Sequence, residues 1–399
     1  MASAAFDRLT SQVNLAAVWK EYRPRAINSA AGVNGLSPKD FDHDAKHYIK
    51  ALSHDLRDGF CFSKLRGVKA PKSDPTKFRI ICVPTIQDRL VQRAILKEIE
   101  PRAIKLGIAN EVSFGFVKDT ATVKRGTGTA RDVAIKHRRK KPWAFKADIE
   151  SFFDRIDRKT LSEDFAKNFS FTSLAPLVVG AIGCEVDDTD PRIKRVLQEN
   201  GIIAGRGLRQ GMPLSPVLSN FLLRDFDKGF VAKGYDLVRY ADDILVFASS
   251  KEECEVIKAF ADKELNVLGL NFKDSKTRIY APDEAADFLG MELYPTGTPS
   301  AYSLRISDKQ RAVIKEQFTN FNDLDTVIKE DLDAFKLARR LRNMAQGYRS
   351  AYAAADNFRE IEEQFVQWQQ GCFVKIYERL FGPGAVDKLP ANGRKFLMI

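Results

Sequence analysis

Leu237-Val238-Arg239-Tyr240-Ala241-Asp242-Asp243-Ile244-Leu245-Val246-Phe247 sets two adjacent carboxylates between two apolar, strand-like runs. A strand–turn–strand reading places both acids at a hairpin tip, aimed outward together. Two like charges that close repel, and removing them from water adds to the cost. A cation between the acids removes the conflict. With a third acid nearby, oxygen donors of this kind suit Mg²⁺ and two-metal phosphoryl transfer. A polar hairpin turn is the alternative, since Asp is a common turn residue. The tetrapeptide alone leaves both open.

The rest of the chain narrows the choice. Its 399 residues are enough for two or three domains. Lys and Arg number 64 against 53 Asp and Glu, a formal net charge of +11. That excess favours a polyanionic partner, of which nucleic acid is the commonest. The N-terminal twenty residues lack the order of a signal peptide, and the most apolar run, Leu174 to Gly183, is too short for a bilayer. The expectation is a cytoplasmic protein without membrane contact. The five cysteines are scattered, which reads as reduced thiols. His43 and His47 lie at i, i+4 without a supporting Cys or carboxylate pattern, so a solvated helix face is expected. The acidic run Asp187-Asp188-Thr189-Asp190 lacks Ca²⁺-loop spacing and reads as a surface turn.

Along the chain, Ser37-Pro38 opens a helix running to about Leu56. Phe78–Val83 is a strand stopped by Pro84, and Thr85 to Ile99 a helix. Residues 118–146 hold ten Lys and Arg against two Asp, a track for backbone phosphates or a solvated face. Trp143–Asp148 reads as a strand, residues 160–205 as mostly helical, and Leu214–Phe230 as a helix. The acidic hairpin follows, then a helix from Lys251 to Leu268 and short strands at Thr277–Tyr280 and Phe288–Leu293. After Pro299 the pattern turns helical, with Phe335, Ala338, Leu341, Ala345, Tyr348 and Tyr352 as one apolar stripe. Around the acids the order strand, helices, hairpin, helix, strand fits a ferredoxin-like split sheet with helices on one face.

Lys146-Ala147-Asp148-Ile149-Glu150-Ser151-Phe152-Phe153 supplies the third acid, and Arg209-Gln210-Gly211-Met212-Pro213-Leu214-Ser215-Pro216 lies between it and the hairpin. Together these resemble the polymerase motifs of reverse transcriptases, in that family's order. Lys72 through Arg79 to Arg89 is similar to the finger segment of the group II intron lineage, and Ala31-Gly32-Val33-Asn34-Gly35 to its N-terminal extension motif. Ser113-Phe114-Gly115-Phe116, Leu268-Gly269-Leu270-Asn271-Phe272 and Phe288-Leu289-Gly290 match further short motifs. The likeness covers about residues 30 to 355. It departs from intron-encoded members in lacking their Cys-rich nuclease pattern, and is most similar to free-standing, unknown-group and defence-associated reverse transcriptases.

The resemblance implies an α+β right-hand polymerase with fingers, a ferredoxin-like palm and a helical thumb. The expected domains are a helical lead-in (1–30), fingers (31–140), palm (141–297, with a helical insertion at 160–205) and thumb with C-terminal tail (298–399). Asp148, Asp242 and Asp243 are the expected catalytic acids. They would hold two Mg²⁺ ions, with Mn²⁺ as a substitute, helped by the Ile149 carbonyl. Lys72 and Arg79 would contact the incoming triphosphate, Phe153 would exclude a ribose 2′-hydroxyl, and Gln210 and Gly211 would line the nucleotide. Lys276 would serve the departing pyrophosphate. Arg339, Arg342 and Arg349 would follow the template–primer backbone. The expected reaction is RNA-directed DNA synthesis from dNTPs, on a partner noncoding RNA and in antiphage defence. Protein-primed or untemplated DNA synthesis is the alternative, and an idle, maturase-like RNA-binding scaffold is another of a different class.

Overall fold

The computed structural model describes residues 2–71, 78–119, 124–169, 173–297 and 301–397. The chain is α+β and divides into two units. One comprises Met1–Gly126, Ala147–Ile244 and Glu255–Thr277; the other comprises Thr127–Lys146, Leu245–Cys254 and Arg278–Ile399.

Among the described residues, nine strands form three sheets: β1 (Arg66–Pro71), β2 (Phe78–Val83), β3 (Trp143–Asp148), β4 (Asp236–Tyr240), β5 (Asp243–Ala248), β6 (Arg278–Tyr280), β7 (Ala286–Phe288), β8 (Met291–Pro295) and β9 (Tyr302–Arg305). β1 and β2 make an antiparallel hairpin. The central sheet runs β4-β5-β3-β6, and β7-β8-β9 form a small meander. In the central sheet the last strand pairs with the first, the first with the third, and the third with the second. This is the split β-α-β-β-α-β order expected from the sequence. It follows from two helical excursions, one between β3 and β4 and one, Lys251–Val267, between β5 and β6.

Local chemistry places several elements where the sequence puts them. The Ser37 hydroxyl accepts from Asp40 N, and the Thr85 hydroxyl accepts from Asp88 N to start the helix Ile86–Ile99. Asp190, from the acidic run, caps Pro191–Glu199 by accepting from Arg192 N. The run is thus a helix cap within a surface turn.

Five expectations need correction. The helix expected from Ser37-Pro38 to about Leu56 is two, Pro38–His43 and Ala45–Asp55, broken at Asp44. The strand expected over Phe288–Leu293 is interrupted at Leu289-Gly290, the turn between β7 and β8. β9 lies where helix was expected; pairing with β8 makes Tyr302–Arg305 a strand, a contact that local propensity does not reveal. The helix expected over Leu214–Phe230 is two, Ser215–Leu222 and Arg224–Lys233, broken at Leu223. In the helix Ala334–Tyr352 the buried face is Leu337, Ala338, Leu341, Ala345 and Tyr352, whereas Phe335 is 76% exposed. Phe335 sits at the first turn, before the helix meets its neighbours.

In the second unit, Arg138 is fully buried and gathers the meander. Its guanidinium donates to the carbonyls of Leu293 (2.6 Å), Glu284 (2.6 Å) and Ala281 (3.1 Å) and stacks over the Tyr302 ring. Among the described residues, no helix is long and apolar enough to cross a membrane.

Candidate active site

Asp148 ends β3, and Asp242 occupies the turn between β4 and β5. The strand end and the turn are joined directly: Ile149 N donates to the Asp242 carbonyl at 3.3 Å. The Asp148 carbonyl in turn accepts from Lys273 N at 2.9 Å, bringing in the segment that leads to β6. Ninety-four residues of sequence are thus folded to put two carboxylates side by side. Burial, and then the Asp148 carboxylate, push the Asp242 carboxyl above its ordinary range, while Lys276 and Arg239 act in the opposite direction.

Lys276 lies directly against one of the acids. Its Nζ lies 2.7 Å from Asp148 Oδ2, an ion pair whose Asp148 side chain is 19% exposed. Among the described residues, no three Asp, Glu, His or Cys side chains form a metal-binding array. The two adjacent acids sit on different elements: Asp242 is in the turn, and Asp243 is the first residue of β5.

The donor set nevertheless suits a hard divalent cation. The carboxylate oxygens of Asp148 and Asp242 are hard donors, the kind that such a cation prefers. Burial is the larger cause of the raised Asp242 pKa; the second, repulsion from Asp148, is what such a cation would relieve.

The turn itself is held tightly. Ala241 has φ of +57°, left-handed for a residue with a Cβ. Arg239 and Asp227, which sequence reasoning passed over, form an ion pair beneath it with both side chains 0% exposed. The only signal in the sequence was an Arg inside an apolar strand.

An aromatic wall stands beside the acids. Phe153 lies 6.4 Å, centroid to centroid, from Phe116, and Phe116 lies 6.4 Å from Tyr240. Phe153 also packs on its neighbour Phe152 at 5.4 Å, and its carbonyl accepts from Leu208 N at 2.7 Å. The Gln210 carbonyl accepts from Cys82 N at 2.7 Å, fastening the Gln210-Gly211 loop to β2. Gly211 has φ of +104°, and a Cβ there would stand 2.3 Å from the Cys82 carbonyl oxygen. Only glycine fits. Arg79 is exposed on β2, the strand that carries Cys82. Lys72 lies outside the described residues.

In the second unit, Arg339 and Arg342 are exposed on the helix Ala334–Tyr352. Arg349 is instead engaged with Glu362 at 2.5 Å, on the helix Phe358–Phe381.

Comparison with known proteins places this geometry. Residues 70–293 match the family profile described as "Reverse transcriptase (RNA-dependent DNA polymerase)". The group II intron-encoded protein LtrA of Lactococcus lactis is 26% identical over 222 residues, which is 52% of this chain and 32% of LtrA. Protein YkfC of Escherichia coli is 28% identical over 200 residues, 49% of each chain. The chain therefore spans about a third to a half of the length of these relatives. Among solved structures, telomerase from Candida albicans aligns with 90% of this chain and 66% of its own at 14% identity and a TM-score of 0.45, too distant a likeness to bear on function.

Proposed function

This chain belongs to the reverse transcriptase family, and from that membership we propose that it is an RNA-directed DNA polymerase whose centre is Asp148 and Asp242. The observation that carries the assignment is their convergence through the Ile149–Asp242 backbone bond, inside the segment that matches the family. Asp148, Asp242 and the Ile149 carbonyl are the residues that would hold Mg²⁺, with Asp243 adding negative charge from the start of β5. Bound there, two such ions would favour deprotonation of a primer 3′-hydroxyl and neutralise a triphosphate.

The chain's own residues supply the rest. The Phe153 ring, packed edge-on against Phe116, would set an apolar face against the sugar and so disfavour a ribose 2′-hydroxyl. Gly211 lets the loop close onto β2, and the loop so fixed through Cys82 would carry Gln210 and Gly211 alongside the nucleotide. Arg79, with Lys72, offers charge to the triphosphate from the fingers. Lys276 balances Asp148 and would serve the departing pyrophosphate once a cation occupies the acids. Arg339 and Arg342 offer exposed cations to a nucleic-acid backbone, which the net charge of +11 also favours. The finger, palm and thumb boundaries of the sequence reading are retained as part of this proposal.

The template is proposed to be a partner noncoding RNA, and the role antiphage defence. Both rest on the resemblance to free-standing, defence-associated enzymes. Sequencing RNA and DNA that co-purify with the protein tests the template: a single enriched RNA with matching DNA is expected, and random RNA would overturn it. Plaque counts with and without the active gene test the role.

The chemistry is tested by primer extension on an RNA template with Mg²⁺ and dNTPs. The wild type is expected to extend the primer, and Asp242→Ala with Asp243→Ala to abolish extension. DNA synthesis that survives the double substitution would refute the assigned centre. A product that partitions into phenol until protease is added would instead point to protein priming.

A further inference from the structure

The buried ion pair under the hairpin is costly to build. Asp227, on the helix Arg224–Lys233, and Arg239, in β4, are both fully buried. Replacing such a pair by apolar side chains is often neutral or stabilising, so stability alone does not account for it. The geometry shows what else the pair does. Arg239 Nε and Nη2 donate to the two Asp227 oxygens at 2.7 and 2.5 Å, which locks the guanidinium plane. The remaining Nη1 donates to the Ala241 carbonyl and to Asn220 Oδ1, each at 2.9 Å.

Ala241 is the residue in the left-handed conformation, and it immediately precedes Asp242. Both carbonyls of the turn are therefore pinned, Ala241 by Arg239 and Asp242 by Ile149 N. The neighbouring chain closes the remaining freedom. Arg239 N donates to Val112 O, Phe114 N donates to Arg239 O, and Asn220 Nδ2 donates to Gly115 O, all at 2.8 Å. A Cβ on Gly115 would stand 2.7 Å from Ala241 N, so the Ser113–Phe116 motif lies flush against the turn.

We propose that Arg239, oriented by Asp227, is a positioning residue that holds Ala241 in its left-handed conformation and thereby aims the Asp242 carboxylate toward Asp148. The proposal deepens the polymerase reading and rests on it for the identity of the cation. A lysine at 239 keeps the charge opposite Asp227 but loses the planar fork that reaches Asp227 through Nε and Nη2 and the Ala241 carbonyl through Nη1. Glycine at 241 adopts positive φ without the steric cost of a Cβ. The pair of substitutions therefore separates aim from bulk stability.

The test measures Mn²⁺ affinity by electron paramagnetic resonance, with kcat and dNTP KM from primer extension alongside, for Arg239→Lys, Ala241→Gly and the double variant. Arg239→Lys is expected to weaken Mn²⁺ binding and lower kcat by about tenfold, the loss of one hydrogen bond to a charged donor, with KM little changed. Adding Ala241→Gly is expected to restore most of both. Should Arg239→Lys fail to fold, Asp227→Glu shifts the guanidinium by one methylene and is read by the same rescue. Unchanged Mn²⁺ affinity, or a loss that Ala241→Gly does not repair, overturns the proposal, as does a wild type that binds no Mn²⁺. A wild type that shows this Mn²⁺ pattern but makes no DNA overturns the polymerase reading and leaves the positioning role standing.

Discussion

Gly211→Ala is the substitution whose effect can be worked most directly from the structure. A Cβ at 211 would lie 2.3 Å from the Cys82 carbonyl oxygen and 3.3 Å from both the Cys82 carbonyl carbon and nitrogen. Those are backbone atoms of β2, which cannot swing aside. The φ of +104° is also one that a residue with a Cβ resists. The positive φ costs about 1–2 kcal/mol and the overlap about 1–3 kcal/mol, together about 2–5 kcal/mol. The strain is relieved most easily by lifting the Gln210-Gly211 loop off β2, which breaks the 2.7 Å bond from Cys82 N to Gln210 O. If the loop yields, even the lower figure predicts a fall in kcat/KM for dNTP of about thirtyfold, with urea unfolding little altered. If it does not, the same energy appears as lost stability. Gly371→Ala is the control: it lies inside the helix Phe358–Phe381 with nothing within 4 Å of the added Cβ, and should gain up to about 1 kcal/mol. A Gly211→Ala protein that unfolds and polymerises like the wild type would refute this account of the loop.

Three further outcomes are expected. Lys276→Met removes the cation held 2.7 Å from Asp148 Oδ2, so calorimetry should show Mg²⁺ binding up to about fivefold tighter, the worth of a partly exposed ion pair, while nucleotide addition slows; unchanged affinity would show that Lys276 does not compete for Asp148. Burial raises the Asp88 carboxyl to about 6 from an ordinary 3.8. A raised pKa means that the native state favours the protonated form, so its stabilising effect is full below the unfolded value and lost as pH rises through about 6. Asp88→Asn should match the wild type near pH 4 and exceed it by about 3 kcal/mol above pH 7 in urea unfolding; a difference that does not vary with pH would contradict the assignment. Arg138→Met leaves the Leu293, Glu284 and Ala281 carbonyls without their donor and should cost about 3 kcal/mol in thermal unfolding, whereas a loss below about 1 kcal/mol would mean that the meander does not depend on it.

What could be read from the sequence was whatever a short stretch states by itself. The acidic hairpin announces its strands by apolar runs and its turn by polarity. Ser37 and Thr85 announce helices because a cap acts within three residues. The order of motifs then supplied the sheet. Contacts between distant segments stayed hidden. Lys276 was expected at a leaving group, yet it lies against Asp148, 128 residues earlier. Tyr302–Arg305 is a strand because of β8, and its four residues carry no period long enough to show it. Arg239 and Asp227 are only twelve residues apart, but a helix and a strand must pack before they meet. Phe335 fits the apolar period and is exposed all the same, because periodicity names a face without saying where along the helix its partner begins.

The pinning of Asp148 from both sides also sets an order of events during synthesis. Its strand end needs the Asp242 turn on one flank and Lys273 and Lys276 on the other. While the ribosome has yet to release the segment through Lys276, Asp148 lacks both the backbone bond from Lys273 and the Lys276 counter-charge. A chain released only as far as Asp243 thus carries all three acids with that flank of β3 still open.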